Sequence, residues 1–108
     1  MPGLSPEQVM DKARRAVAAL REEVTVDRAL VFGSHAEGTA HEWSDIDLAV
    51  FTSSLDEVGL DDLLRLNRLA QRAGGPHVEL HLFPARRLDP AQSTAFSRQI
   101  LAAGLTVV

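Results

Sequence analysis

Cysteine is absent from this chain of 108 residues, and so are long apolar runs. Without cysteine the chain has no disulfide framework, no thiolate metal site and no thiol nucleophile. No apolar run approaches the ~20 residues that a transmembrane helix needs, and the N-terminus has no apolar signal core. These absences predict a chain that stays out of membranes and works in the cytoplasm.

Positive charge is also scarce, because the chain has 11 lysines and arginines but 15 aspartates and glutamates, which gives a net charge of −4. Broad nucleic-acid binding depends on basic surface that neutralises phosphates, so this balance argues against it. A small nucleotide is not excluded, since a metal ion can offset its charge locally. With 45% hydrophobic and 24% charged residues, we expect residues 1–108 to form one globular domain.

Apolar periodicity predicts an alternation of helices and strands. Ser5 and Gln8 form a capping-box pattern at the first helix start. Helical spacing predicts helices over 6–23, 61–73 and 91–103. Apolar runs predict strands over 30–32, 46–51, 78–83 and 105–108. This order predicts an α+β fold, a small mixed sheet with helices packed mainly on one face.

A glycine-serine turn, Gly33-Ser34-His35-Ala36-Glu37-Gly38, follows the first apolar run. Glycine lets the backbone approach a bound group, and the amides from Ser34 onward open a short helix whose N-terminus attracts anions. The motif therefore predicts a tight turn and one helical turn that can hold phosphate. An ordinary strand-to-helix turn with a capping serine is the alternative.

Two carboxylates stand two residues apart in Ser44-Asp45-Ile46-Asp47-Leu48. Strand alternation predicts that Asp45 and Asp47 share one face. Adjacent like charges on a mostly buried strand cost energy unless a cation compensates them, and Mg²⁺ prefers a few carboxylates plus substrate phosphates. The pair therefore predicts a divalent metal site, which together with a phosphate turn is typical of phosphoryl or nucleotidyl transfer.

The third predicted strand carries polar residues on one face, namely His77, Glu79 and His81. If this strand neighbours the strand over 46–51, Glu79 can join the two aspartates. The same three residues also have the spacing of a zinc site. Histidines that line the acceptor side, or a simple polar strand face, are the remaining interpretations.

The Gly33-Ser34 pair, Gly38 and Asp45-Ile46-Asp47 together resemble the nucleotidyltransferase superfamily typified by DNA polymerase beta. In length the chain is similar to the minimal nucleotidyltransferases, which are often encoded beside a HEPN-domain partner as a toxin–antitoxin pair. The resemblance implies a nucleotidyltransferase-like sheet. It also implies transfer of a nucleoside monophosphate, from ATP bound with Mg²⁺, to a hydroxyl group on a HEPN-type partner.

The resemblance also implies roles for individual residues. The metal-binding and catalytic carboxylates would be Asp45, Asp47 and Glu79, with Glu79 where the family usually has aspartate. The residues on the nucleotide side would be Gly33, Ser34 and Ser44.

Two positions depart from the family pattern, because His35 and Glu37 stand where minimal nucleotidyltransferases commonly carry basic residues. These departures favour an alternative hypothesis, a weak or inert antitoxin that acts by direct contact. A small-molecule nucleotidyltransferase ranks lower because the usual substrate domain is missing, and an RNA-directed one ranks lower still. Trp43 is predicted as a packing anchor, and Phe96 in the last helix leaves self-association open.

Overall fold

The computed structural model describes residues 4–41 and 44–108, so the predicted anchor Trp43 lies outside the described residues. These residues include four α-helices: α1 Pro6–Leu20, α2 Ser34–Glu37, α3 Leu60–Gly74 and α4 Ala95–Ala103. Four strands alternate with them: β1 Arg28–Phe32, β2 Ile46–Thr52, β3 Val78–Pro84 and β4 Leu105–Thr106. Among the described helices, none has the length and apolar character required to cross a bilayer.

The start of α1 confirms the predicted capping box. The Gln8 N–H donates to Ser5 Oγ at 3.2 Å, and the Ser5 N–H donates to Gln8 Oε1 at 2.8 Å. Pro6 occupies the first helical position, where its missing N–H costs nothing. The helix ends at Leu20, and the three residues that were predicted to continue it form a turn instead.

The four strands form one mixed sheet in the order β3-β2-β1-β4. β1 runs antiparallel to β2 and places Phe32 opposite Asp47. β3 runs parallel to β2 and places Glu79 opposite Asp47. The adjacency of the second and third strands, which the expected role of Glu79 required, is therefore present, and the predicted α+β fold with a small mixed sheet is confirmed.

One face of the sheet is covered by α1 and α3. The helices contribute Val9, Ala13, Val17, Leu20 and Leu66 to its core, and the strands contribute Val31, Ile46, Leu48, Val50 and Val78. All of these side chains are at most 2% exposed. Two helices on this face and one on the other agree with the prediction that the helices pack mainly on one face.

The opposite face carries α4 and is divided into two halves. Its apolar half is a smaller cluster formed by Leu30, Ala49, Phe51 and Ile100. Its polar half lies where β2 and β3 begin and includes Asp47 and Glu79, which are opposite each other. The fold therefore leaves charged side chains only partly covered at one end of this face.

The last helix begins later than predicted. A 3-10 turn spans Pro90–Gln92, and α4 starts only at Ala95, after Thr94. Thr94 is extended, with φ −102° and ψ 167°, and its Oγ1 accepts from the Ser97 N–H at 3.1 Å. A threonine cap of this kind ends the preceding segment and starts a new helix, which is why the predicted helix over 91–103 is divided.

Side chains of α3 hold the outer edge of β3. The Leu80 N–H donates to Asn67 Oδ1 at 3.1 Å, and Gln71 Nε2 donates to the Val78 carbonyl at 3.2 Å. Since these backbone groups point away from β2, the helix satisfies them in place of a fifth strand. This fixes the strand that carries Glu79.

Candidate active site

Gly33 connects the end of β1 to α2 with a backbone conformation that favours glycine. Its φ is 75° and its ψ is −148°, a region that other residues enter only under strain. A Cβ built at this position would lie 2.4 Å from Asp47 Oδ2. Glycine is therefore needed here for a second reason, because the Asp47 carboxylate occupies the space that a side chain would fill.

Asp47 and Glu79 meet across the β2–β3 pair. They are register partners on parallel strands, which lie about 4.8 Å apart in any sheet. The Asp47 side chain is 25% exposed and the Glu79 side chain 53% exposed. Two carboxylates thus stand side by side at a surface that a substrate can reach, with Asp47 pressed against the glycine turn.

His81 completes this group. Its Nε2 lies 3.2 Å from Asp47 Oδ1 and 3.9 Å from Glu79 Oε1. One ligand atom from each of the three residues can be chosen so that all lie within 4.8 Å of one another. Carboxylates of two strands and an imidazole are donors that divalent metals accept, so the residues present fit a metal ion.

Sequence reasoning did not connect His81 with Asp47. The available signal was the spacing of His81 two residues after Glu79, which puts both on the same strand face. The missing information was the parallel register, which sets Asp47 opposite Glu79 and brings the histidine within hydrogen-bond distance.

Aromatic packing holds the His81 ring. Its centroid lies 5.0 Å from that of Phe32, with the rings at 69°. Phe32 in turn contacts Phe96 of α4 at 5.7 Å and 79°. Edge-to-face contacts of this type stabilise ring orientation. The apolar half of the face therefore positions a side chain of the polar half.

Two residues expected near the site lie outside this group. Asp45 is exposed and precedes β2, and His77 precedes β3 in the same way. The metal-ligand group found among the described residues consists of Asp47, Glu79 and His81. The structure therefore brings Asp47 and Glu79 together but leaves Asp45 outside the group. The group that contains Glu79 and His81 includes Asp47 of the neighbouring strand and does not include His77.

Ser44 and His35 connect the loop before β2 to the glycine turn. Ser44 Oγ accepts from the His41 N–H at 2.9 Å. His35 Nε2 lies 3.3 Å from the Ser44 carbonyl oxygen; since a carbonyl only accepts, the imidazole donates through Nε2. Ser34 is the first residue of α2 and is partly buried. These contacts hold α2 beside the start of β2.

A cleft of about 250 Å³ opens next to Gly33, between α2 and α4. Its walls are mainly apolar and include Phe32, Ala36, Phe96 and Ile100, while Glu37 lies at its edge. The cleft adjoins the metal-ligand group through Gly33 and Phe32. An open cleft therefore lies directly beside the two carboxylates.

Residues 11–101 match the family model described as the nucleotidyltransferase domain. The chain belongs to this family. The match includes the glycine turn, Asp45 just before β2, Asp47 within β2, and the strand that carries Glu79 and His81. No curated protein matches this nucleotidyltransferase domain.

Two solved structures resemble the domain in fold. A toxin–antitoxin structure with AMP-PNP is 22% identical, with a TM-score of 0.63, and the alignment covers 89% of this chain and 72% of the other. A candidate nucleotidyltransferase from Sulfolobus solfataricus is 19% identical, with a TM-score of 0.59, covering 78% of this chain and 74% of the other. At these identities the likeness supports the fold of the nucleotidyltransferase domain.

Proposed function

We propose that this nucleotidyltransferase domain binds ATP with Mg²⁺ and transfers its nucleoside monophosphate to a hydroxyl group of an acceptor. One observation carries the proposal: Asp47 and Glu79 lie opposite each other on parallel strands, with Asp47 in contact range of the turn at Gly33. A carboxylate pair beside a glycine turn combines metal-binding and phosphate-binding groups in one place. Residues 1–108 are proposed to act as one such domain.

The roles follow from these positions. The turn at Gly33 and Ser34 binds the phosphates of the nucleotide, because the first amides of a helix have no partner inside it. Asp47 and Glu79 would hold the metal, and Asp45, one residue before β2, would supply the third carboxylate. When bound, Mg²⁺ neutralises charge on the phosphates and orients them. Ser44, in the loop before β2, lies on the nucleotide side.

The reaction itself is a displacement at the α-phosphorus. The acceptor hydroxyl oxygen forms a bond to that phosphorus, the bond to the bridging oxygen of the β-phosphate breaks, and pyrophosphate leaves. Glu79 accepts the proton of the hydroxyl. Most of the rate enhancement would come from positioning the two reactants and from neutralising charge.

Calorimetry of ATP binding in the presence and absence of Mg²⁺ tests this proposal. We expect metal-dependent binding by the wild type and its loss in Asp47→Asn. Asp61→Asn removes a carboxylate from α3, on the opposite face of the sheet, and should bind like the wild type. A folded wild type that binds no ATP with Mg²⁺ would contradict the proposal.

The acceptor is proposed to be a partner protein of the HEPN type. A toxin–antitoxin structure with AMP-PNP shares the fold, and this supports both a nucleotide and a toxin partner. Intact-mass measurement of a co-expressed partner should show the added nucleoside monophosphate with the wild type and its absence with Asp47→Asn. An unmodified partner beside an ATP-binding wild type would exclude this acceptor.

A contact-only antitoxin is the second candidate, and two observations favour it. The acidic Glu37 borders the cleft beside Gly33, and no lysine or arginine is among the described residues that line that cleft. In addition, Asp45 lies outside the metal-ligand group. Neutralisation of the partner that survives the folded double variant Asp45→Ala and Asp47→Ala would support this candidate.

A further inference from the structure

We propose that His81 is itself a ligand of the metal ion, together with Asp47 and Glu79, and that the site therefore prefers Mn²⁺ or Co²⁺ to Mg²⁺. The inference rests on the proposed function in one respect, since it concerns the same pair of carboxylates. It adds a nitrogen ligand, His81, and the class of metal, a divalent first-row transition ion.

The distances agree with a shared coordination sphere. Nε2 of His81 lies 3.2 Å from Asp47 Oδ1 and 3.9 Å from Glu79 Oε1. Neighbouring ligands of an octahedral ion with bonds of about 2.1 Å are about 3 Å apart, and opposite ligands are about 4.2 Å apart. The separation of 3.2 Å from Asp47 is therefore close to that of neighbouring ligands, whereas the separation of 3.9 Å from Glu79 lies between the two values, so the half-exposed Glu79 side chain would have to shift slightly to share one ion.

The donor set decides the metal. Mg²⁺ binds almost entirely through carboxylates, phosphates and water, whereas divalent first-row transition ions, Mn²⁺ and Co²⁺ among them, also bind sites that combine nitrogen and oxygen donors. In the group of Asp47, Glu79 and His81, one of the three donors is an imidazole nitrogen. Mixed nitrogen and oxygen ligation shifts selectivity away from Mg²⁺.

Two of the three ligands, Asp47 and His81, are also held in place before a metal arrives. Asp47 lies against Gly33, where only a glycine leaves room for it. The His81 ring packs edge-to-face on Phe32. Little side-chain freedom is left to lose on binding, which favours a defined site over a loose pair of surface charges.

The experiment titrates Mn²⁺, Co²⁺ and Mg²⁺ separately into the full chain by calorimetry, without nucleotide, and records pulsed EPR spectra of the bound Mn²⁺. We expect Mn²⁺ to bind about tenfold or more tightly than Mg²⁺, and its spectrum to show coupling to a ¹⁴N nucleus. His81→Gln should weaken Mn²⁺ binding about tenfold and abolish the nitrogen coupling, while Mg²⁺ binding changes little.

His77→Gln is the matched control, because it changes a histidine that precedes the same strand and lies outside the metal-ligand group. It should retain the Mn²⁺ affinity and the nitrogen coupling. The EPR measurement on the wild type does not depend on whether His81→Gln folds. Bound Mn²⁺ without nitrogen coupling, equal affinity for Mn²⁺ and Mg²⁺, or no Mn²⁺ binding would each overturn the inference.

The outcomes also separate the inference from the proposed function. Mg²⁺-dependent ATP binding that needs Asp47 but shows no nitrogen ligand would leave nucleotide binding standing and remove His81 from the metal. Nitrogen-coupled Mn²⁺ in a protein that binds no ATP with any metal would keep the site and overturn the transferase proposal.

Discussion

The two faces of the sheet use the same strands for different purposes. Along β2, Ile46, Leu48 and Val50 point into the core beneath α1 and α3, and all are fully buried. Between them, Asp47 points to the α4 face, where it is partly exposed and meets Glu79 and His81. One face can therefore stabilise the fold while the other accommodates two adjacent carboxylates at a partly exposed surface.

The largest expected effect tests the stabilising face. Leu48→Ala removes a fully buried side chain and should lower the free energy of unfolding by about 2–5 kcal/mol. Urea denaturation measures this loss. Leu64→Ala makes the same chemical change at a side chain of α3 that is 55% exposed, and it should cost less than about 0.5 kcal/mol. Equal losses would refute the distinction between core and surface.

The next largest effect concerns Gly33, in the turn that lies against Asp47. Gly33→Ala introduces backbone strain that should cost about 1–3 kcal/mol, and its Cβ would collide with the Asp47 carboxylate. We expect loss of Mn²⁺ binding as well as stability. Gly38→Ala has a similar φ of 77° but nothing within 4 Å of the added Cβ. This control should lose stability, by about 1–2 kcal/mol, and keep metal binding.

A smaller effect of opposite sign is expected on the site face. Glu79→Gln removes one of two carboxylates that lie opposite each other, so it should raise the free energy of unfolding by about 0.2–1 kcal/mol without metal. With Mn²⁺ added, the wild type should become more stable than Glu79→Gln, because the ion stabilises only a folded protein that binds it. Thermal melting with and without MnCl₂ measures both. A metal-free loss of stability would show that Glu79 is structural.

The smallest effect concerns a carboxylate outside the site. The Gly59 N–H and then Arg65, each hydrogen-bonded to Asp62, lower the pKa of that carboxyl from its ordinary value of 3.8. A lowered folded-state pKa stabilises the fold above about 3.8 and the gain disappears as pH falls through the lowered value.

Asp62→Asn should therefore be slightly less stable than the wild type at neutral pH, and the two stabilities should converge below that range. Urea denaturation at several pH values measures the difference. Asp61→Asn, in the same helical turn, controls for the change in net charge. A difference that grows on acidification would contradict the assignment.

Local signals in the sequence predicted much of this architecture. The Ser5–Gln8 capping box, the one-turn helix after Gly33 and the apolar strands are all confirmed. Each depends on residues close together in the chain, where propensity and capping decide the structure. The predicted start of the last helix, directly after Pro90, was wrong, because the side chain of Thr94 caps the helix and α4 begins after it.

The arrangement of the site depended on information that local patterns do not contain. That Glu79 would stand opposite Asp47 required the parallel β2–β3 register, which is set by packing of the whole sheet. The contact between His81 and Asp47 follows from the same register. The start of β2 at Ile46 was predicted correctly, but the expectation that Asp45 and Asp47 share one face extended the strand alternation to a residue that precedes β2.

The outer edge of β3 has a consequence for how this molecule behaves at high concentration. An uncovered strand edge is a template on which another extended chain can hydrogen-bond, and such additions seed aggregation. Here Asn67 and Gln71 occupy the first half of that edge, and the strand ends at Pro84, which has no N–H to offer. A second chain would first have to displace two amide side chains, so this edge of the sheet is protected against the addition of another strand.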